Sequence, residues 1–114
     1  MYELVWLEHD NYVRLVLIAD GAPVSTSAIT QVKTVFVPLE GGSQQVVSST
    51  NSSSDMIRWG QSGYETGEIR LFLGNSGIPP GIYLAYLIVY DPEKPDGVVW
   101  GEEPIKFIFR PSPL

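Results

Sequence analysis

The run Ile78-Pro79-Pro80-Gly81-Ile82-Tyr83-Leu84-Ala85-Tyr86-Leu87-Ile88-Val89-Tyr90-Asp91 constrains the fold more than any other stretch of the chain. Two prolines set a rigid turn, and a glycine then opens into aliphatic, β-branched and aromatic residues, the composition of a strand. A long strand is not stable alone, because its N–H and C=O groups need ladder partners. The rest of the chain must therefore supply a sheet.

Further strands are readable on both sides of this run. Tyr2 to Leu7 is rich in aliphatic and aromatic residues. Tyr12 to Ala19 sets Val13, Leu15 and Leu17 on one face against Tyr12, Arg14, Val16 and Ile18 on the other. Ile29 to Val37 alternates imperfectly, and its β-branched content favours a strand over a helix. Pro38 ends it, since proline has no N–H for a ladder. Gln44 to Ser48 and Met56 to Trp59 are short strands, and Glu68 to Leu73 sets Ile69, Leu71 and Leu73 against Glu68, Arg70 and Phe72. After Asp91, a two-proline connection to Gly97 leads into Val98 to Trp100, a bulge or bend at Gly101-Glu102-Glu103-Pro104, and a last strand from Ile105 to Phe109. Asp20-Gly21-Ala22-Pro23 and Glu40-Gly41-Gly42-Ser43 are turn signals. Ser49 to Asp55 holds no apolar residue and reads as an exposed, mobile loop. No internal repeat and no convincing helix interrupts this series. The pattern predicts an all-β fold, a single antiparallel β-sandwich over residues 1–110 followed by a short tail, 111–114.

At 114 residues, 44% hydrophobic and 18% charged, the chain suits one domain with a buried core. Seven Lys plus Arg stand against thirteen Asp plus Glu, a net charge of -6. That balance keeps a small domain in solution and argues against a nucleic-acid partner, which is held by clustered basic residues. The absence of cysteine excludes disulfides, thiolate zinc sites and a cysteine nucleophile. Met1-Tyr2-Glu3 lacks the basic region of a signal peptide, and the apolar runs are too short for a membrane-spanning helix. A soluble protein with no membrane partner and no obvious export signal is the expectation.

Candidate chemistry is sparse. His9 is the only histidine, and Glu8-His9-Asp10 offers an acid–base pair or a metal ligand. Consecutive turn residues diverge, however, and metal sites draw ligands from several elements. One histidine and no cysteine leave no Ser-His-Asp or Cys-His set to expect. Asp20, Glu40, Asp55, Asp91, Glu93, Asp96, Glu102 and Glu103 fall in turns, where carboxylates are solvated or cap backbone, rather than facing one another as a glycosidase pair. Asp91, Glu93 and Asp96 cluster as hard-cation ligands would, against the nearby prolines and the Lys94 charge. Gly41-Gly42 lacks the strand–loop–helix context of a phosphate loop. Trp6, Trp59 and Trp100 serve either core packing or stacking on sugar or base rings, with Trp100, flanked by Gly97 and Gly101, the surface candidate. The expectation is a non-enzyme with no catalytic, cofactor-binding or metal-binding residue.

Tyr83, placed at the start of a late strand just after a Pro-Gly turn, resembles the tyrosine corner of immunoglobulin-like sandwiches, though an ordinary strand tyrosine fits the same position. Two stretches extend the likeness. One is Asp20-Gly21-Ala22-Pro23-Val24 with the strand Ile29 to Val37. The other is Leu73 through Trp100, in particular Pro80-Gly81-Ile82-Tyr83-Leu84-Ala85 and Tyr90-Asp91-Pro92 to Gly97-Val98-Val99-Trp100-Gly101. Together they resemble small structural proteins of tailed bacteriophages and prophages, similar to baseplate and tail-associated domains, immunoglobulin-like in the broad sense. The resemblance implies a non-enzymatic structural or adaptor protein of the particle: a head-decoration, neck or tail-associated subunit. Its partners would be other virion proteins or copies of itself, a homo-oligomer included, and its place the virion, made in the bacterial host cytoplasm. No functional residue belongs to the shared motifs. The alternative is a carbohydrate-binding β-sandwich module presenting Trp and Tyr side chains on one face.

Overall fold

A computed structural model describes residues 2–111. Its strands are β1 (Glu3–Trp6), β2 (Val13–Val16), β3 (Ile18–Ala19), β4 (Ala22–Pro23), β5 (Gln31–Pro38), β6 (Gln45–Ser49), β7 (Ile57–Trp59), β8 (Glu68–Leu71), β9 (Gly81–Asp91) and β10 (Lys94–Arg110). No helix occurs among the described residues, so the fold is all-β. Of the expected tail, 112–114 lie outside the described residues.

The long apolar run is β9, and it sits at the centre of a five-stranded sheet in the order β1-β10-β9-β5-β6. This sheet curls into a half-barrel. A three-stranded sheet, β2-β8-β7, and a small hairpin, β3-β4, complete the fold. The pairing is not wholly antiparallel: β1 runs parallel to β10, with Leu4 opposite Ile108. Parallel neighbours need a long connection between them. Here the whole intervening chain provides it, because the pair joins the first strand to the last.

Alternation along the strands aims one face of each sheet at a shared interior. Val32, Phe36, Tyr83, Leu87, Phe107 and Phe109 from the large sheet belong to the same apolar cluster as Val13, Ile57, Trp59, Ile69 and Leu71 from the small one. Phe36 meets Phe107 and Phe109 edge to face, with ring centroids 5.1 and 5.3 Å apart, and Tyr83 meets Phe109 in the same way at 5.4 Å. These geometries set ring edges against ring faces, the favoured arrangement of aromatic quadrupoles.

Three expectations from the sequence are revised. The strand predicted over 12–19 divides after Val16. Leu17 turns fully into the core; its N–H donates to the Gly67 carbonyl at 2.9 Å and its carbonyl accepts from Val24 N–H at 2.9 Å. Ile18 and Ala19 pair instead with Pro23 and Ala22. The predicted faces survive this break: Val13 and Leu17 are buried, whereas Arg14 and Ile18 are exposed.

The two strands expected near the C-terminus are one, β10, and the predicted break at 101–104 lies inside it as a bulge. Trp100 stands opposite Leu87 and Ile105 opposite Ala85, so four residues crowd past Tyr86 alone. The expected long connection after Asp91 is also shorter. Asp91 Oδ1 accepts the N–H groups of Glu93 and Lys94 at 2.9 and 2.8 Å, which closes a tight turn and returns residues 95–97 to the strand.

The polar tract 49–55 carries its own hydrogen bonds. Asn51 Oδ1 accepts from Ser53 N, Ser53 Oγ and Ser54 N at 2.9, 3.0 and 3.2 Å, and Asp55 Oδ2 accepts from Asn51 N at 3.2 Å. From Asn51 to Asp55, small polar side chains bond local backbone in place of a strand partner. Ser49 Oγ accepts from Ile57 N at 3.0 Å, fastening the end of β6 in the large sheet to the start of β7 in the small one.

Candidate functional site

Most of the residues singled out from sequence do not converge. Glu8, His9 and Asp10 are exposed on one turn, and of these only His9 and Asp10 border the same cleft as Asp55. The turn carboxylates Asp20, Glu40, Asp91, Glu93, Asp96 and Glu103 are distributed over separate turns and the β10 bulge, and the Glu102 side chain lies outside the described set. Asp91 is occupied in capping its turn. Among the described residues, no group of three or more His, Asp or Glu side chains is arranged to hold a metal ion. Trp59 is buried in the core, while Trp6 and Trp100 are half-buried and Trp100 packs against that core.

Two groupings that the sequence did not reveal emerge from strand pairing. The first is a rank of arginines. On the outer face of the small sheet, Arg14, Arg70 and Arg58 lie directly across from one another on β2, β8 and β7. Like charges placed opposite each other repel. Glu68, only 2% exposed, offsets two of them: Oε2 bonds Arg70 Nε, while Oε1 lies 3.2 Å from Arg14 Nε and 3.1 Å from the Glu65 N–H. Glu65 Oε2 takes the other end of Arg14 at 2.9 Å.

The Glu65 backbone N–H, aided by Arg70 and Arg14 and against the effect of desolvation, holds the Glu68 carboxyl below its ordinary range. The bond from Glu68 in turn raises Arg70. Aromatic rings fill the spaces between the guanidinium groups. Arg70 lies 4.1 Å from the Tyr64 centroid and 4.7 Å from that of Tyr12, and Arg58 lies 4.2 Å from that of Phe72. Sequence alternation placed Arg14 and Arg70 outward, but it carried no sign that β2 pairs with β8.

The second grouping is the outer face of the five-stranded sheet. An antiparallel sheet that faces water on one side ordinarily alternates apolar-in and polar-out. This one is largely apolar on its outer face as well, with Lys33, Ser48 and Lys106 among the aliphatic and aromatic residues. Val46, Val35 and Tyr86 form one row across β6, β5 and β9. Ile82, Ile108 and Leu4 form another across β9, β10 and β1. Between and beside them, Val37 and Leu84 share a row with Lys106, and Ile88 and Val99 share one with Lys33 and Ser48. Val46 is 56% exposed, Val99 57%, Leu4 and Ile82 40% each, and Tyr86 38%, so most of the patch stands open, with Ile108 buried between Ile82 and Leu4.

Comparison with protein-family models, with curated proteins and with solved structures gave no match for this chain.

Proposed function

We propose that this chain is a non-enzymatic assembly domain of a bacteriophage or prophage particle, immunoglobulin-like in the broad sense. The observation that carries the assembly role is the apolar outer face of the five-stranded sheet. Large exposed apolar patches are costly on a protein that remains alone in water, and they mark docking surfaces. Rows of aliphatic and aromatic side chains from all five strands, with Lys33 and Lys106 as the charged members of those rows, fit a face buried against another subunit. Its partner is a copy of the chain or a neighbouring protein of the particle.

Two features support the finer reading. The Tyr83 hydroxyl donates to the Pro79 carbonyl at 2.8 Å, the upstream backbone bond expected of a tyrosine corner. Both sheets also contribute to one apolar cluster, as the layers of a sandwich do. The non-enzymatic reading draws on Glu68. The best-buried carboxylate among the described residues is bound to two arginines and a backbone N–H, which keep it ionised and engaged. The particle assignment rests on the sequence resemblance and is tested by mass spectrometry of purified phage particles from a strain that carries this chain. Peptides of the chain at stoichiometric level are expected; their absence from particles, with the chain present in the producing cells, overturns the assignment.

A further inference from the structure

A cleft of about 810 Å³ opens at the end of the small sheet, on the side of the core away from the apolar face. Its apolar lining is Tyr12 and Phe72, with ring centroids 5.2 Å apart, and Met56; Arg70 lies against the Tyr12 ring and Arg58 against that of Phe72. His9, Asp10, Asp55, Arg58 and Asn75 are part of its polar lining. Tyr12 is 47% exposed and Met56 36%, so the apolar lining is open rather than sealed.

Both walls are built in advance. On one side, Asn11 receives the Trp6 N–H at 3.1 Å and donates to the Trp6 and His9 carbonyls at 2.8 Å each. Glu8 is held at a φ of 65°, a strained value for a residue with a side chain, and its N–H donates to the Gly74 carbonyl at 2.7 Å. The fit there is close: a Cβ on Gly74 would lie 2.0 Å from the His9 carbonyl oxygen. On the other side, the Asn51 and Asp55 bonds shape the 51–55 turn, and Arg58 Nε donates to the Asp55 carbonyl at 2.8 Å while the guanidinium lies over Phe72. Rigid walls lower the ordering cost of binding.

We infer that this cleft binds a neutral saccharide, of the size of a short oligosaccharide. The volume falls within the range of small-molecule sites, and an apolar floor with a few convergent polar groups is their usual lining. Sugar rings present an apolar C–H face and pairs of adjacent hydroxyls. Carboxylates accept from such pairs, and guanidinium and amide groups donate to them in planar, two-pronged fashion. On a lining that also holds His9, the carboxylates of Asp10 and Asp55 outnumber the one guanidinium, Arg58, which disfavours a phosphate or other anion. The inference is independent of the particle assignment, since it uses the other sheet and other residues.

The test is an NMR titration of the full ¹⁵N-labelled chain with glucose, galactose, mannose, N-acetylglucosamine and their oligomers, and separately with inorganic phosphate. At least one saccharide is expected to move resonances of residues 9–12, 54–58 and 72–75. Its affinity should fall at least about tenfold in Tyr12→Ala and in Asp10→Asn, each checked for an unchanged spectrum elsewhere, and should hold in Val46→Lys. The inference is overturned if no saccharide moves these resonances, if binding persists in both cleft variants, or if phosphate alone produces the shifts.

Discussion

The Tyr83 hydroxyl reaches back to the Pro79 carbonyl, 2.8 Å away, and so ties the first residues of β9 to the proline turn that precedes them. The ring itself lies in the core, against Phe36 and Phe109. Tyr83→Phe keeps the ring contacts and removes the bond, and the expected loss is about 1 kcal/mol, the net worth of one such bond. Burial raises the phenol above its ordinary value of 10.0. The folded state thus favours the neutral form. That stability is present in full below the ordinary value and is lost as pH rises through the folded one. Urea unfolding at neutral and alkaline pH should show the wild type losing stability in alkali and Tyr83→Phe losing less.

Gly97 marks a bulge in β10, with a φ of 82°. A Cβ there would lie 2.6 Å from Ile88 Cγ2 and 2.7 Å from Tyr90 Cε2. Gly97→Ala combines a left-handed backbone with overpacking against β9, and is expected to cost about 1–3 kcal/mol. Thermal unfolding measures it; an unchanged melting temperature would show that β10 has another path past Ile88.

Glu68 links Arg14 and Arg70 across the small sheet. Its carboxyl is depressed below the ordinary value of 4.5, first by the Glu65 N–H bond and then by the two arginines. The sign follows: its contribution is present above the ordinary carboxylate value and is lost as pH falls through the folded one. Glu68→Gln should be less stable than the wild type at neutral pH, because Arg14 and Arg70 then face each other without the shared anion. The two proteins should converge in acid. Urea midpoints followed from neutral pH down through the carboxylate range test this; parallel curves would contradict it.

The all-β fold was legible because alternation and turn residues are local signals. Ile69, Leu71 and Val13 announced their faces, and the Pro79-Pro80-Gly81 turn announced β9. What was not legible depends on partners distant in sequence. Nothing in Tyr2 to Leu7 tells that β1 lies parallel to β10, and nothing in Arg14, Arg58 or Arg70 taken singly tells that they share one rank. Alternation set Glu68 on the face opposite Ile69, Leu71 and Leu73 but gave no sign of its burial, which comes with Arg14, Arg70 and the backbone at Glu65. The apolar outer face was similarly hidden. The run from Ile78 to Asp91 read as a long strand that needs ladder partners, which does not tell whether each of its two apolar faces is covered. The structure covers one of them and leaves the other open. The cleft at Tyr12 and Phe72 required the segment 9–12 to meet the 54–56 loop and the start of β7 across the sheet end.

Light scattering of the purified chain over a concentration series, alone and mixed with purified particle proteins, tests most directly whether the outer sheet face is an interface. The wild type is expected above 12.6 kDa, as multiples of itself or bound to a particle protein, and Val46→Lys with Tyr86→Lys is expected at 12.6 kDa with an unchanged melting temperature. A wild type that stays at 12.6 kDa at every concentration and binds no particle protein would contradict the account.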